Sequence, residues 1–119
     1  MNGRQRMISL CMIFMFASVL TAGLSVGSAA TAPLVVVGIR GEIDAGQTAL
    51  IFKAINEATA QKAGALLVEI ETFGGQVDAA VKIRDMISDS KLKTICYVKN
   101  RAWSAGALVA ISHRHIAIA

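Results

Sequence analysis

Three short apolar runs, each rich in β-branched residues and each separated from the next by a segment of helical period, constrain this chain most. They are Leu34 to Ile39 (Leu-Val-Val-Val-Gly-Ile), Ala65 to Ile70 and Thr94 to Val98. Runs of this length without polar alternation read as strands buried on both faces. Between the first two, Leu50, Ile51, Ala54, Ile55 and Ala58 share one face of a helix predicted from Gln47 to Lys62. Gly41-Glu42-Ile43-Asp44 is expected to turn the chain into that helix with Asp44 as its N-cap, and Gly64 to end it. Between the second and third runs, Val77, Ala80, Ile83 and Ile87 line one face of a second helix. Arg84 falls within that face, so it must snorkel or pair. A small-residue helix, Ala105 to Ile111, follows the third run, and a fourth apolar run begins at Ile116. Strands alternating with helices predict an α/β fold: a parallel sheet with right-handed crossovers and flanking helices. The chain stops at Ala119, inside what reads as a strand, so the fold is expected to be a truncated one.

The segment before Pro33 has a different character. A basic start, Met1 to Arg6, precedes a mostly apolar stretch from Met7 to Leu24, and Ser28-Ala29-Ala30 supplies the small residues a signal peptidase reads. Residues 1–30 are therefore expected to be a secretory signal, with an uncleaved membrane anchor as the alternative. Either way the remainder, 33–119, is expected to be exported to the periplasm or held at the membrane. It forms one domain with a modest core.

Setting Arg4 and Arg6 aside leaves ten Lys/Arg against eight Asp/Glu, scattered and without interleaved aromatics, which argues against a nucleic-acid partner. Cys96 lies in an apolar run and reads as a small buried hydrophobe. His113 and His115 alternate with Arg114 and are expected to point the same way. Two histidines without a third ligand make a weak metal site, so no metal and no cofactor is expected.

Two turns carry the chemistry. Asn100 to Ala107 (Asn-Arg-Ala-Trp-Ser-Ala-Gly-Ala) places Ser104 between a strand and the first turn of a helix, where backbone N–H groups lack partners. Glu71-Thr72-Phe73-Gly74-Gly75-Gln76 is a second strand-to-helix turn. In parallel sheets, ligands gather at the carboxyl ends of the strands, and both turns lie there if their strands are neighbours. Acyl transfer needs a nucleophile, a base and donors for the oxyanion. Ser104 fits the first, and the N–H groups of Ala105 and Gly75 could be the donors. By spacing alone, Ser104 reads first as a helix N-cap, and the Gly-Gly pair as a tight turn.

In order along the chain come Gly41-Glu42-Ile43-Asp44, Glu69 through Gly75, Val77-Asp78-Ala79-Ala80 with Ile83-Arg84-Asp85, and Tyr97-Val98 through Ala107. On these stretches the segment from Val35 to Ile118 resembles the N-terminal part of the peptidase domain of NfeD-type membrane-bound serine peptidases of the ClpP class, in the ClpP/crotonase superfamily. The resemblance implies a serine endopeptidase acting outside the cytoplasmic membrane on hydrophobic segments of membrane-associated proteins, stomatin-like proteins among them. It implies Ser104 as nucleophile and Gly75 and Ala105 as oxyanion donors. Gly74, Gly75, Gln76, Val77 and Asp78 would align an extended peptide by strand addition, with Trp103 beside it. Self-association into an oligomer is expected as well.

Two positions depart from the family pattern. Phe73 replaces a proline that would pre-set the turn, and Trp103 stands where the family has a small residue. The family's base is a lysine well downstream of the serine, beyond Ala119. Lys99 reads as solvent-facing, and His113 does not have the spacing of a superfamily Ser-His-Asp member. The 119 residues alone are thus expected to be inactive or nearly so. Two other readings stay open: a non-catalytic peptide-binding remnant, and a crotonase-type acyl-CoA enzyme, against which the secretory leader argues.

Overall fold

The structure is a computed structural model that describes residues 31–119; the leader predicted over residues 1–30 lies outside the described residues. Seven elements follow one another: β1 (Leu34–Ile43), α1 (Ala45–Ala60), β2 (Ala65–Gly75), α2 (Val77–Asp89), β3 (Thr94–Ala102), α3 (Ala105–Ile111) and β4 (His115–Ile118). The strands form one parallel sheet in the order β1-β2-β3-β4.

Side chains alternate across a strand, and parallel register places partners on the same face. Val37, Val68 and Cys96 therefore make one buried row, and Ile39, Ile70 and Val98 make the next. Against these rows pack Ile51 and Ala54 of α1, Ala80, Ile83 and Ile87 of α2, and Val109 and Ala110 of α3, in a single core. Each fully buried isoleucine contributes roughly 2 kcal/mol.

The opposite face of the sheet is open among the described residues. This corrects the expectation that the apolar runs are buried on both faces: Val36 in the middle of β1 is 53% exposed, and Leu67, Ile95 and Tyr97 are half-buried. The physical reason is the strand order. When every right-handed crossover moves the chain one strand in the same direction, every helix lands on the same side.

Local signals account for most element boundaries. Asp44 caps α1 as expected, its Oδ1 accepting from the Gln47 N–H at 2.9 Å. The chain turns at Asp44 and not at Gly41. Gly41 (φ 75°) instead forms a bulge, shifting the register between Arg40 and Glu42, and β1 runs on so that Ile43 returns to the core. Helix α1 ends before Gly64. Lys62 takes the left-handed position (φ 51°), its N–H donating to Thr59 O at 3.1 Å and that of Ala63 to Ala58 O at 2.8 Å. On α2, Ala79 is buried and Val77, the first helical residue, is not: it is 68% exposed. Arg84 pairs with Asp85, its Nε donating at 2.8 Å.

Candidate active site

The two strand-to-helix turns meet. Strands β2 and β3 pair in constant register from Leu66–Thr94 to Ile70–Val98, then, after an irregularity that gives β3 two extra residues, pair again at Thr72–Ala102, and the Trp103 N–H donates to Thr72 O at 3.1 Å. There β3 turns away. Past Thr72, residues 73–75 of β2 keep β1 as a neighbour on one side and have no strand partner on the other among the described residues.

Ser104 occupies the corner. Its backbone (φ 50°, ψ −121°) is that of the first central residue of a type II′ turn, closed by the Gly106 N–H donating to Trp103 O at 2.8 Å. Glycine is the usual occupant of that position. A serine there costs on the order of 1–2 kcal/mol. The conformation also decides between the two readings of Ser104. An N-cap residue is extended and its hydroxyl accepts from the helix; Ser104 is neither, and makes no side-chain capping bond. It is exposed, while Ala105 beside it, the first helical residue, is buried. The N–H of Ala105 is one of the donors a helix start leaves without an intrahelical acceptor.

The glycine pair divides its work. A β-carbon on Gly74 (φ 113°) would come within 3.0 Å of Ser104 Cβ and 3.1 Å of Trp103 O, so Gly74 lets the two turns touch. A β-carbon on Gly75 would lie 2.3 Å from Ile43 O, so Gly75 lets β2 close against β1. Gln76 then donates its N–H to Ile43 O at 2.8 Å and opens α2. Val77 and Asp78 follow on the exposed first turn, with Asp78 3.8 Å from Lys82.

One residue that spacing did not single out holds this junction. Thr72 is 1% exposed, and its Oγ1 accepts from the Gly74 N–H at 2.9 Å and reaches the Gly41 carbonyl. Its methyl lies 2.4 Å from where a Gly106 β-carbon would be. It thus ties together the β1 bulge, the Gly-Gly turn and α3. A threonine two residues before a glycine, where its hydroxyl can bond the backbone two positions on, was the available signal.

Two clefts flank the corner, divided by an aromatic pair with one ring from each turn. Phe73 and Trp103 stand edge to face with centroids 5.4 Å apart, and both are mostly exposed. On the Trp103 side is a mostly apolar cleft of about 350 Å³ between Trp103, Ala107, Ile111 and Ile116 and Ile118 of β4, with Asn100 and Arg101 at its edge. On the Phe73 side is a charged cleft of about 280 Å³ lined by Arg40, Gly41, Glu71, Phe73 and Arg101.

The remaining titratable candidates lie elsewhere. Lys99 is exposed on β3. His113 is buried at the far end of α3, its Nδ1 3.0 Å from Val109 O and its Nε2 without a partner among the described residues, and burial lowers its pKa below 6.5. His115 is exposed, so the two histidines do not share the surroundings their alternation predicts. Cys96 is fully buried, which pushes its thiol up to about 11 and leaves it an inert hydrophobe. Among the described residues no cluster of His, Cys, Asp and Glu is placed to hold a metal ion.

The N-terminal domain family of NfeD1b proteins matches residues 34–119. The membrane protein NfeD1b of Bacillus subtilis is 30% identical over 84 residues, which cover 71% of this chain and 19% of that protein. Among solved structures, the 1510-N membrane protease specific for a stomatin homolog from Pyrococcus horikoshii superposes with a TM-score of 0.69 at 32% identity, over 75% of this chain and 46% of that one. A variant of the 1510-N stomatin-specific protease in complex with a substrate peptide gives 0.69 at 30% identity, over 75% and 42%. A ClpP1 variant from Listeria monocytogenes gives 0.55 at 25% identity, over 66% and 46%. The chain thus spans about a fifth of the curated relative and less than half of each of these solved chains.

Proposed function

This chain belongs to the NfeD1b N-terminal domain family, with the fold shared by the NfeD-type protease and ClpP, and on that premise we propose that the full-length protein is a serine endopeptidase. Ser104 is the nucleophile. Its proton goes to a lysine supplied from beyond residue 119. Attack on a peptide carbonyl places the developing oxyanion between the N–H groups of Ala105 and Gly75. Each such donor is worth on the order of a hundredfold in rate.

The observation that carries this reading is the strained Ser104 corner. A non-glycine residue at φ 50°, exposed, with its hydroxyl free of the helix and Gly74 packed against it, is better explained by reactivity than by capping. The unpaired β3 side of residues 73–75 offers backbone groups to an extended peptide, continuing through Gln76, Val77 and Asp78. The apolar cleft beside Trp103 suits a hydrophobic side chain, in keeping with hydrophobic segments of membrane-associated proteins as substrates. A stomatin-like protein is one such partner, and action at the outer side of the membrane after export is the matching location. Association into an oligomer belongs to the same reading.

A fluorophosphonate probe on the full-length protein tests it. Labelling of the wild type that disappears in Ser104→Ala is expected. Labelling that persists in that variant overturns the assignment. Peptide binding without any labelling of the wild type reduces the domain to a peptide-binding module.

A further inference from the structure

The charged cleft on the Phe73 side is unlike the apolar one across the aromatic pair, and its three ionised groups are in different states. The Glu71 carboxylate accepts from Asn100 Nδ2 at 2.6 Å. The Arg40 guanidinium is paired with Glu69 at 3.2 Å. Arg101 has no carboxylate within salt-bridge distance among the described residues. Its Cζ lies 4.5 Å above the centre of the Phe73 ring. Stacking on a ring face holds a guanidinium in place while leaving its in-plane N–H donors directed outward. Arg101 is therefore a half-buried cation with unused donors, standing between the two clefts: it lines the charged one of about 280 Å³, which begins one residue before Gly74, and also the edge of the apolar one.

We infer that this cleft is a subsite for an acidic side chain of the bound peptide, with Arg101 as the residue that selects it. The inference rests on the peptide-binding reading above. A carboxylate of an aspartate or glutamate would meet the Arg101 fork edge-on, while its methylenes pack on Phe73. A lysine or arginine at the same place would face the two guanidinium groups of Arg40 and Arg101 against one lining carboxylate, Glu71, which Asn100 already engages, and would be repelled on balance. The preferred peptide is then bipartite: an apolar residue for the cleft beside Trp103 and an acidic one for the cleft beneath Arg101. The Phe73–Trp103 pair sets the division between them. Phe73, standing where a proline would stiffen the turn, thereby acquires a role as the platform of the selecting cation.

The test uses the full-length protein as Ser104→Ala, so that peptides are held and not cut. Fluorescence anisotropy measures labelled peptides with one apolar core, in which a single position is scanned with Asp, Asn or Lys. At one position Asp is expected to bind roughly fivefold tighter than Asn, as for a partly exposed ion pair. Lys is expected to bind weakest, and the preference to shrink at high salt. Arg101→Gln erases the Asp–Asn difference, Arg101→Lys keeps most of it, and Arg101→Glu moves the preference to Lys. A residue with a merely structural role would weaken all three peptides alike. Equal binding of Asp and Asn peptides at every scanned position overturns the subsite and leaves the peptidase reading standing. So does a preference that survives Arg101→Gln. Failure of every peptide to bind overturns both.

Discussion

Gly106 is the second residue of α3, where alanine normally gains about 1 kcal/mol over glycine. Here the sign is expected to reverse. A β-carbon on Gly106 would lie 2.4 Å from Thr72 Cγ2. Thr72 is almost fully buried and its hydroxyl is bonded to the turn on either side, so the methyl cannot swing away. Forcing a methyl into a filled core costs about 1–3 kcal/mol. Gly106→Ala should therefore lose about 1 kcal/mol net. Thr72→Ser keeps the hydroxyl and deletes the methyl, and should also lose about 1 kcal/mol. Combined, the two changes exchange one methyl for another in the same space. The double variant is expected within about 0.5 kcal/mol of the wild type, a coupling of about 2 kcal/mol. Urea unfolding of the four proteins, with slopes compared to confirm an unchanged unfolding transition, measures this directly. A Gly106→Ala variant at or above wild-type stability would show that the Thr72 methyl does not fill this space. A loss from that substitution that is the same with and without Thr72→Ser would do so too. The site feels the same clash, because the Gly106 N–H closes the Ser104 turn.

Three further outcomes are expected. Ser104→Gly should melt about 4–8 °C above Ser104→Ala by calorimetry, since glycine relieves the φ 50° corner and alanine does not; equal melting would show the corner to be unstrained. Lys62→Gly should stabilise by about 1 kcal/mol in denaturant titration, because Lys62 holds the left-handed α1 terminus, and no gain would argue against that strain. Burial lowers the His113 pKa from 6.5, so the unfolded chain takes up the proton more readily and stability falls as pH drops through 6.5. His113→Asn should flatten that fall, measured by chemical denaturation across mildly acidic pH, and an unchanged profile would place the titration elsewhere.

Element order was legible because it depends on local spacing. The β-branched runs at Leu34, Ala65 and Thr94, the Asp44 cap and the start of α3 after Ser104 are all set by near neighbours in the chain. What local spacing misjudged shares one cause. A buried-looking run such as Leu34 to Ile39 does not record whether anything covers its second face, and Val77 at helical spacing does not record which way the helix is docked. Gly41 reads as a turn until the register of β1 against β2 shows a bulge, and the helix end that local spacing assigns to Gly64 is taken by Lys62.

The candidate site divides in the same way. From the sequence alone, a serine and a glycine pair could be placed in two strand-to-helix turns, and the family pattern could be matched to them. Tertiary structure decided that Gly74 is the glycine against Ser104 while Gly75 faces β1, that Ser104 is a strained corner and not a cap, and that Thr72 locks the junction. It also brought Phe73, Trp103 and Arg101 into one cluster. These are contacts between residues some thirty positions apart in the chain. Their geometry follows from the register of β2 against β3 and from close backbone approach, which only the assembled sheet fixes.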